Sequence, residues 1–293
     1  MTAPLTLPLT LIDTHCHLDY IVDGLLKVDK PTPGPTDADS VLARAAAAGV
    51  HHLINPGTEP ARFARIVQLA EQYPKQVSFA LAIHPTDVQA VNGLTPETAE
   101  ARISELLAPF LQHPQLVALG ETGLDYYHND APDLKTLQQA CFSAFLKLGQ
   151  VHQLPVIIHD REAHEDVAKM VDETLGPYQV GERLRGVMHC FSGDAAFAQT
   201  MVARGFLISF AGNTTFKKAQ PLRDAARALA LESILVETDA PFLSPEPYRG
   251  QLNEPGRTRQ TAQVLADDRQ ISLEALAAAT TQNARRLFTR LFF

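Results

Sequence analysis

Leu9-Thr10-Leu11-Ile12-Asp13-Thr14-His15-Cys16-His17 is an apolar run that ends abruptly in residues able to hold a metal. In an extended chain, residues i and i+2 point the same way, so His15 and His17 project together. Asp13 points to the same side and is a candidate to orient an imidazole. The same grammar recurs along the chain. Short apolar runs at 52–55, 77–84, 116–120, 156–159, 186–189, 206–210 and 234–238 lack polar alternation, as strands buried on both faces do. Helical patterns at 37–48, 59–73, 133–152, 161–175, 194–204 and 272–290 separate or follow them. The first begins at Asp37 and stops at Gly49, and the second ends before Pro74, which are ordinary helix boundaries. Strands alternating with helices predict a (β/α)₈ barrel, with an open doubly wound sheet as the alternative.

Length and composition agree with one such barrel. The chain has 293 residues, of which 45% are hydrophobic, against about 250 for a typical barrel plus insertions. The expectation is a single domain over 1–293. A stretch at 23–36, with Lys27, Lys30, three prolines and Gly34, reads as an inserted surface loop over the barrel mouth.

A net charge of −8 excludes a wholly basic duplex-coating surface but leaves local phosphate binding through cations open. Three cysteines, Cys16, Cys141 and Cys190, form no disulfide framework and fit a reducing cytoplasm. Residues 1–11 lack a positive n-region, and no apolar run reaches about 18 residues, so neither a signal peptide nor a membrane span is expected. No obligatory protein partner is evident.

The remaining chemistry sits at the ends of the apolar runs. Glu121, in Gly120-Glu121-Thr122-Gly123-Leu124-Asp125, follows the fourth. A carboxylate there can bridge two cations through its two oxygens, which no imidazole can do. Asp125 is either a loop residue or a support for a ligand. His159 closes the fifth run, and Arg161 beyond it suits a phosphate or carboxylate. His189 closes the sixth, with Cys190 as packing and Ser192-Gly193 as a turn. Asp239, in Glu237-Thr238-Asp239-Ala240-Pro241, closes the eighth. It can ligate a metal and accept a proton from water, with Glu237 behind it. His84, in Ile83-His84-Pro85, closes the third and could touch substrate or carry a proton. His51, His52, His113, His128, His152 and His164 read as solvated or structural. Convergence decides the matter: in a barrel, all these ends open on the face where active sites lie. Four histidines and two carboxylates gathered there fit a pair of divalent ions.

The chain resembles the TatD-type metal-dependent hydrolases, a branch of the amidohydrolase-like barrels. The resemblance lies in 13–17, 83–85, 120–125, His159 with Arg161, 189–193 and 238–241. Arg249-Gly250, Asn253-Glu254-Pro255 and 283–288 extend it, so that it runs from residue 11 to about 288. Ala82 replaces a usual glycine, and the 23–36 loop is longer than usual. The resemblance implies hydrolysis of phosphodiesters and a 3′-to-5′ deoxyribonuclease acting on single-stranded DNA. It also implies two divalent ions: His15, His17, Glu121 and Asp239 would hold one, and Glu121, His159 and His189 the other. In that scheme Asp239 accepts the proton of the attacking water. Arg161 neutralises phosphoryl charge, and His84 protonates the leaving oxygen or holds a phosphate oxygen. The imidazoles favour Zn²⁺ or Mn²⁺ by softness, while the family's nuclease activity is associated with Mg²⁺.

Two other readings use the same residues. One is an ester or amide hydrolase, such as a D-aminoacyl-tRNA deacylase, on the same metal centre. The other, remote, is a non-catalytic binding module on the same barrel. For single strands, Tyr126, Tyr127, Phe191, Phe216, Phe242 and Tyr248 are candidate stacking surfaces. Lys217, Lys218, Arg249, Arg257 and Arg259 are candidates to follow a phosphate backbone.

Overall fold

The computed structural model describes residues 9–26 and 34–291. Residues 27–33 of the expected mouth loop, and residues 1–8 of the segment read for a signal peptide, lie outside the described residues. Eight parallel strands form one sheet in chain order. They are β1 (Leu11–Asp13), β2 (Val50–Gly57), β3 (Val77–Leu81), β4 (Leu116–Asp125), β5 (Val156–Arg161), β6 (Gly186–Met188), β7 (Phe206–Phe210) and β8 (Ile234–Val236). Between and after them run α1 (Leu18–Val22), α2 (Ala38–Ala47), α3 (Phe63–Gln72), α4 (Ala99–Leu107), α5 (Pro132–His152), α6 (His164–Leu175), α7 (Ala195–Val202), α8 (Gln220–Ala228), α9 (Thr258–Asp268) and α10 (Leu273–Leu287).

The order is that of a (β/α)₈ barrel, not an open sheet. β8 returns to β1 through backbone bonds at the strand ends: Thr14 N to Val236 O (3.3 Å), Asp239 N to His15 O (2.9 Å) and His17 N to Ala240 O (2.7 Å). Inside, every strand contributes to one apolar plug: Ile12, Ile54, Ala80, Val117, Ile157, Val187, Leu207 and Leu235. Leu287 of α10 and Phe288 just beyond it join this plug. Period-two geometry then carries the next inward positions toward the mouth. Two residues past Ile157, Val187 and Leu235 come His159, His189 and Glu237. The polar site therefore sits directly on the apolar filling.

Several elements differ from the sequence reading. β4 runs on through Glu121 to Asp125, and β5 runs on through Arg161. The two extensions pair with each other, Gly123 with His159 and Asp125 with Arg161. Helix α6 consequently starts at His164, not at 161. The helix expected from 59 enters as a 3₁₀ turn at Pro60–Arg62. Helices α1, α4 and α8 are not among those the sequence pattern predicts. In α8, Gln-Pro-Leu-Arg-Asp-Ala-Ala-Arg-Ala buries only Ala225 and Ala226, too small a stripe to read as an apolar face.

Asp13 does not orient an imidazole, contrary to expectation. Fully buried, it clips β1 to the end of β8. Its Oδ1 accepts from the backbone N–H of Thr238 (2.9 Å) and of His15 (3.2 Å), and its Oδ2 from Thr238 Oγ1 (2.5 Å). Removing the carboxylate strands three buried donors, each costing about 1–3 kcal/mol. Asp13→Ala is expected to lower the unfolding free energy by about 3 kcal/mol or more in metal-free protein. Urea titration followed by circular dichroism measures this, and a loss under about 1 kcal/mol would sink the clip.

Candidate metal centre

Glu121 sits at the middle of the mouth, 4% exposed, and its two oxygens face different nitrogens. Oε2 lies 3.3 Å from His15 Nε2 and 3.8 Å from His17 Nε2. Those two nitrogens are 3.3 Å apart. Asp239 Oδ1 completes the group at 3.8 Å from His15 Nε2 and 3.7 Å from His17 Nε2. A tetrahedral ion with bonds near 2.1 Å has ligand-to-ligand edges of about 3.4 Å. His15 Nε2, His17 Nε2 and Asp239 Oδ1 therefore lie close enough together to share one divalent ion, with Glu121 Oε2 within 3.8 Å of both nitrogens. Among the described residues the buried Nδ1 atoms of His15 and His17 have no partner, while Nε2 of each ring faces this centre.

Oε1 of Glu121 faces the second group, with His189 Nε2 at 2.8 Å and His159 Nδ1 at 2.9 Å. Each of these rings is held from behind. His159 Nε2 meets Asp125 Oδ2 at 3.1 Å, and His189 Nδ1 meets Glu237 Oε1 at 3.1 Å. A carboxylate on the far nitrogen fixes the tautomer and raises the basicity of a metal-facing imidazole. His15 also stacks on His189, with ring centroids 3.8 Å apart. Asp239 and Cys190, each at a strand end, adopt left-handed φ of 56° and 43°. Such backbone is uncommon outside glycine and concentrates at functional sites.

Electrostatics divide the two groups. Burial lowers the pKa of His15 and pushes that of His17 down to about 3, so both are neutral and their lone pairs are available. Burial alone would raise Glu121, but the imidazoles of His189, His84 and His15 outweigh it and hold the carboxyl far below its usual range. Burial works against the charged forms of His159 and His189 as well. Asp125 and Glu121 nevertheless carry His159 to about 9, and Glu121 and Glu237 carry His189 well above its usual value. Burial raises Asp239. Without cations, protons fill the second group.

His84 stands apart. Its Nδ1 accepts from the backbone N–H of Thr86 (3.2 Å), which places the ring proton on Nε2, 3.5 Å from Glu121 Oε1. A protonated Nε2 donates hydrogen bonds and does not ligate. Arg161 is exposed, with its guanidinium 4.4 Å over the Tyr127 ring. It has no ion pair among the described residues. These groups line a cavity of about 1030 Å³.

The structure thus brings His15, His17, His84, Glu121, His159, His189 and Asp239 together and sets Arg161 on the cavity wall. Other candidates fall elsewhere. Arg257 is 4% exposed and bonded to Ser244 Oγ and Leu252 O, so it cannot follow a strand, and it covers the Tyr248 ring. Phe191 is buried beside Phe197 and Phe210. Arg249 lies over Phe216, and the Tyr126 hydroxyl donates to Asp166. Tyr127 and Phe242 are exposed. His52 is a satisfied core histidine, bonded to Lys75 O and Ser78 Oγ. His128 and His164, read as solvated or structural, are both solvent-accessible and bonded to aspartates, and both line the cavity. Their signal was spacing: each lies three or four residues after an aspartate, Asp125 and Asp160, at a strand end.

A barrel with imidazoles and carboxylates gathered at its strand ends is the architecture of metal-dependent hydrolases. Residues 12–289 match the model of the TatD related DNase family. The metal-dependent hydrolase YabD of Bacillus subtilis is 34% identical over 278 residues, covering 95% of this chain and 98% of its own. YcfH of Escherichia coli is 36% identical over 282 residues, covering 95% of each. Both are described as uncharacterized. The crystal structure of the TatD homologue YjjV from Escherichia coli superposes with a TM-score of 0.79 at 32% identity, covering 97% of this chain and 99% of its own. The chain belongs to the TatD-related DNase family and is a metal-dependent hydrolase. Among the described residues no helix is long and apolar enough to cross a membrane.

Two outcomes follow from the protonation pattern and the supporting carboxylates. A cation entering the second group must displace protons held up to pH of about 9. Zn²⁺ binding at pH 7 should therefore release about one to two protons, declining above pH 9. Titration calorimetry in buffers of different ionisation enthalpy reads this, and buffer-independent heats would refute it. Glu237→Gln should weaken metal binding about 10–100-fold, as measured by chelator competition.

Proposed function

We propose that this chain is a phosphodiesterase that trims single-stranded DNA from the 3′ end, using two divalent ions. The observation that carries the reading is the Glu121 carboxylate, with Oε2 toward His15 and His17 and Oε1 toward His159 and His189. One carboxylate shared in this way suits two ions about 3.5–4 Å apart, the spacing used for in-line displacement at phosphorus. His15, His17, Glu121 and Asp239 would hold one ion, and Glu121, His159 and His189 the other. Zn²⁺, Mn²⁺ and Mg²⁺ all remain candidates, the imidazoles favouring the first two. Bound there, the ions supply Lewis acidity toward water and toward a phosphoryl oxygen.

The chain's own groups do the rest. Asp239 directs Oδ1 at the histidines and keeps its other oxygen for the proton of the attacking water. His84, with its proton on Nε2 and Nδ1 tied to Thr86, donates to the leaving oxygen. Arg161 meets a phosphate oxygen at the mouth, its guanidinium held flat by Tyr127. Exposed Phe242 beside Tyr20, with ring centroids 6.3 Å apart, offers aromatic surface to an unpaired base.

The test is metal-stripped protein incubated with 3′- and 5′-labelled single-stranded DNA, with Mg²⁺, Mn²⁺ or Zn²⁺ restored. Shortening from the 3′ end is expected, with Asp239→Asn slower by about 10²–10⁴-fold. No cleavage by protein that binds two ions would turn the reading to acyl esters such as D-aminoacyl-tRNA.

A further inference from the structure

One wall of the cavity carries two histidines, beside Arg161, that the reaction at the metal centre does not use. The ends of β4 and β5 lie side by side, with Tyr126 N donating to Arg161 O at 3.0 Å. From these ends rise His128, Arg161 and His164, all lining the cavity. Each is fixed on one side and free on the other. His128 is 52% exposed, with Nδ1 2.8 Å from Asp125 Oδ2 and its backbone N–H donating to Asp125 Oδ1 at 2.8 Å. His164 is 35% exposed, with Nδ1 2.7 Å from Asp160 Oδ2. Its ring stacks on Phe197 at 4.4 Å, with an interplanar angle of 19°. Arg161 lies over Tyr127, whose ring also meets the His128 edge at 4.9 Å. The Nε2 atoms of both histidines and the guanidinium are thereby left toward the cavity, preorganised by carboxylates and rings behind them.

The opposite wall is of another kind, with Tyr20 and Phe242 packed beside His17. A ligand spanning this cavity meets anion-binding groups on the His159 side and aromatic faces on the His17 side. A polynucleotide has that alternation, with a negative phosphate at every step and a flat base between.

We propose that His164, His128 and Arg161 form a subsite for a second, non-scissile phosphate of the strand, on the His159 side of the cavity. The proposal rests on the phosphodiesterase reading for its substrate. The hydrogen bond to Asp160 raises the pKa of His164, which favours the cationic form there. The Arg161 guanidinium and a cationic His164 donate charge-assisted bonds of the stronger class to a phosphate, with His128 beside them on the same wall. Such a subsite fixes strand direction, because a chain entering reversed brings its sugar where the phosphate should lie.

The experiment measures binding, so it does not depend on turnover. Metal-loaded protein is titrated with 5′-fluorescent oligodeoxynucleotides whose 3′-terminal linkage is made uncleavable by a bridging methylene. In one, the adjacent linkage is an ordinary phosphate. In the other it is a neutral methylphosphonate. Wild-type protein should bind the neutral form about tenfold more weakly, the factor that corresponds to ~1.4 kcal/mol. In His164→Ala the same replacement should cost threefold or less, because a cationic partner of that charge is gone. A wild-type ratio near one overturns the subsite, as does an undiminished ratio in His164→Ala, and so does failure to bind either strand. A parallel assay with unmodified strand separates the two ideas. The expected ratios without shortening of that strand would keep the subsite and remove the nuclease reading.

Discussion

Glu121 is an ionised carboxylate resting on the apolar filling of a barrel. Such a charge survives only with partners around it, and four strands furnish them. His15 and His17 come from the end of β1, His84 from beyond β3, His159 from β5 and His189 from beyond β6. Each ring needs its own orientation, and the polar groups behind them follow from that need. Asp125 stands behind His159, Glu237 behind His189 and Thr86 behind His84. The arrangement leaves an electrostatic imbalance that protons fill in the second group and divalent ions fill better.

Much of this was legible because barrel geometry turns a one-dimensional rule into a three-dimensional site. Apolar runs gave the strands, their ends share one face, and His15, His17, Glu121, His159, His189 and Asp239 needed only to be noticed at those ends. What stayed hidden has a common cause. Asp13 was expected behind an imidazole from its i+2 relation to His15, but the partner that claims it, Thr238, is 225 residues away across the closing seam. The extension of β4 through Glu121 to Asp125 depends on pairing with β5, which no local propensity reports. His128 and His164 looked ordinary because their meaning lies in Asp125 and Asp160, and in where two neighbouring strands end.

Arg257 carries the opposite lesson. A basic residue near the end of a mouth segment suggested a hand for phosphate, yet its guanidinium is spent on Ser244, Leu252 and Gln251. A buried guanidinium bonded to backbone and neutral side chains is a clamp for the 244–252 segment. Arg161 is the contrast: exposed, stacked on one ring and without an ion pair among the described residues. In a chain of net charge −8, attraction for an anion has to be local. Groups held from behind by Asp125, Asp160 and Tyr127 localise it at one wall of the mouth.

The closing seam ties stability to the site. β1 and β8 share few backbone bonds, and the seam is held near its top by Asp13 and Thr238. His15 and His17 stand on one side of it and Asp239 on the other, with Asp239 N bonded to His15 O at 2.9 Å. A cation held by these three side chains would tie the two sides of the seam together where the barrel's own hydrogen bonding is sparse. Whatever binds only the folded form stabilises it in proportion to its affinity. Hence the left-handed turn at Asp239 need not be stable alone. The residues beside it keep the seam nearly closed, and the same few atoms that would hold the ion gain most from its presence.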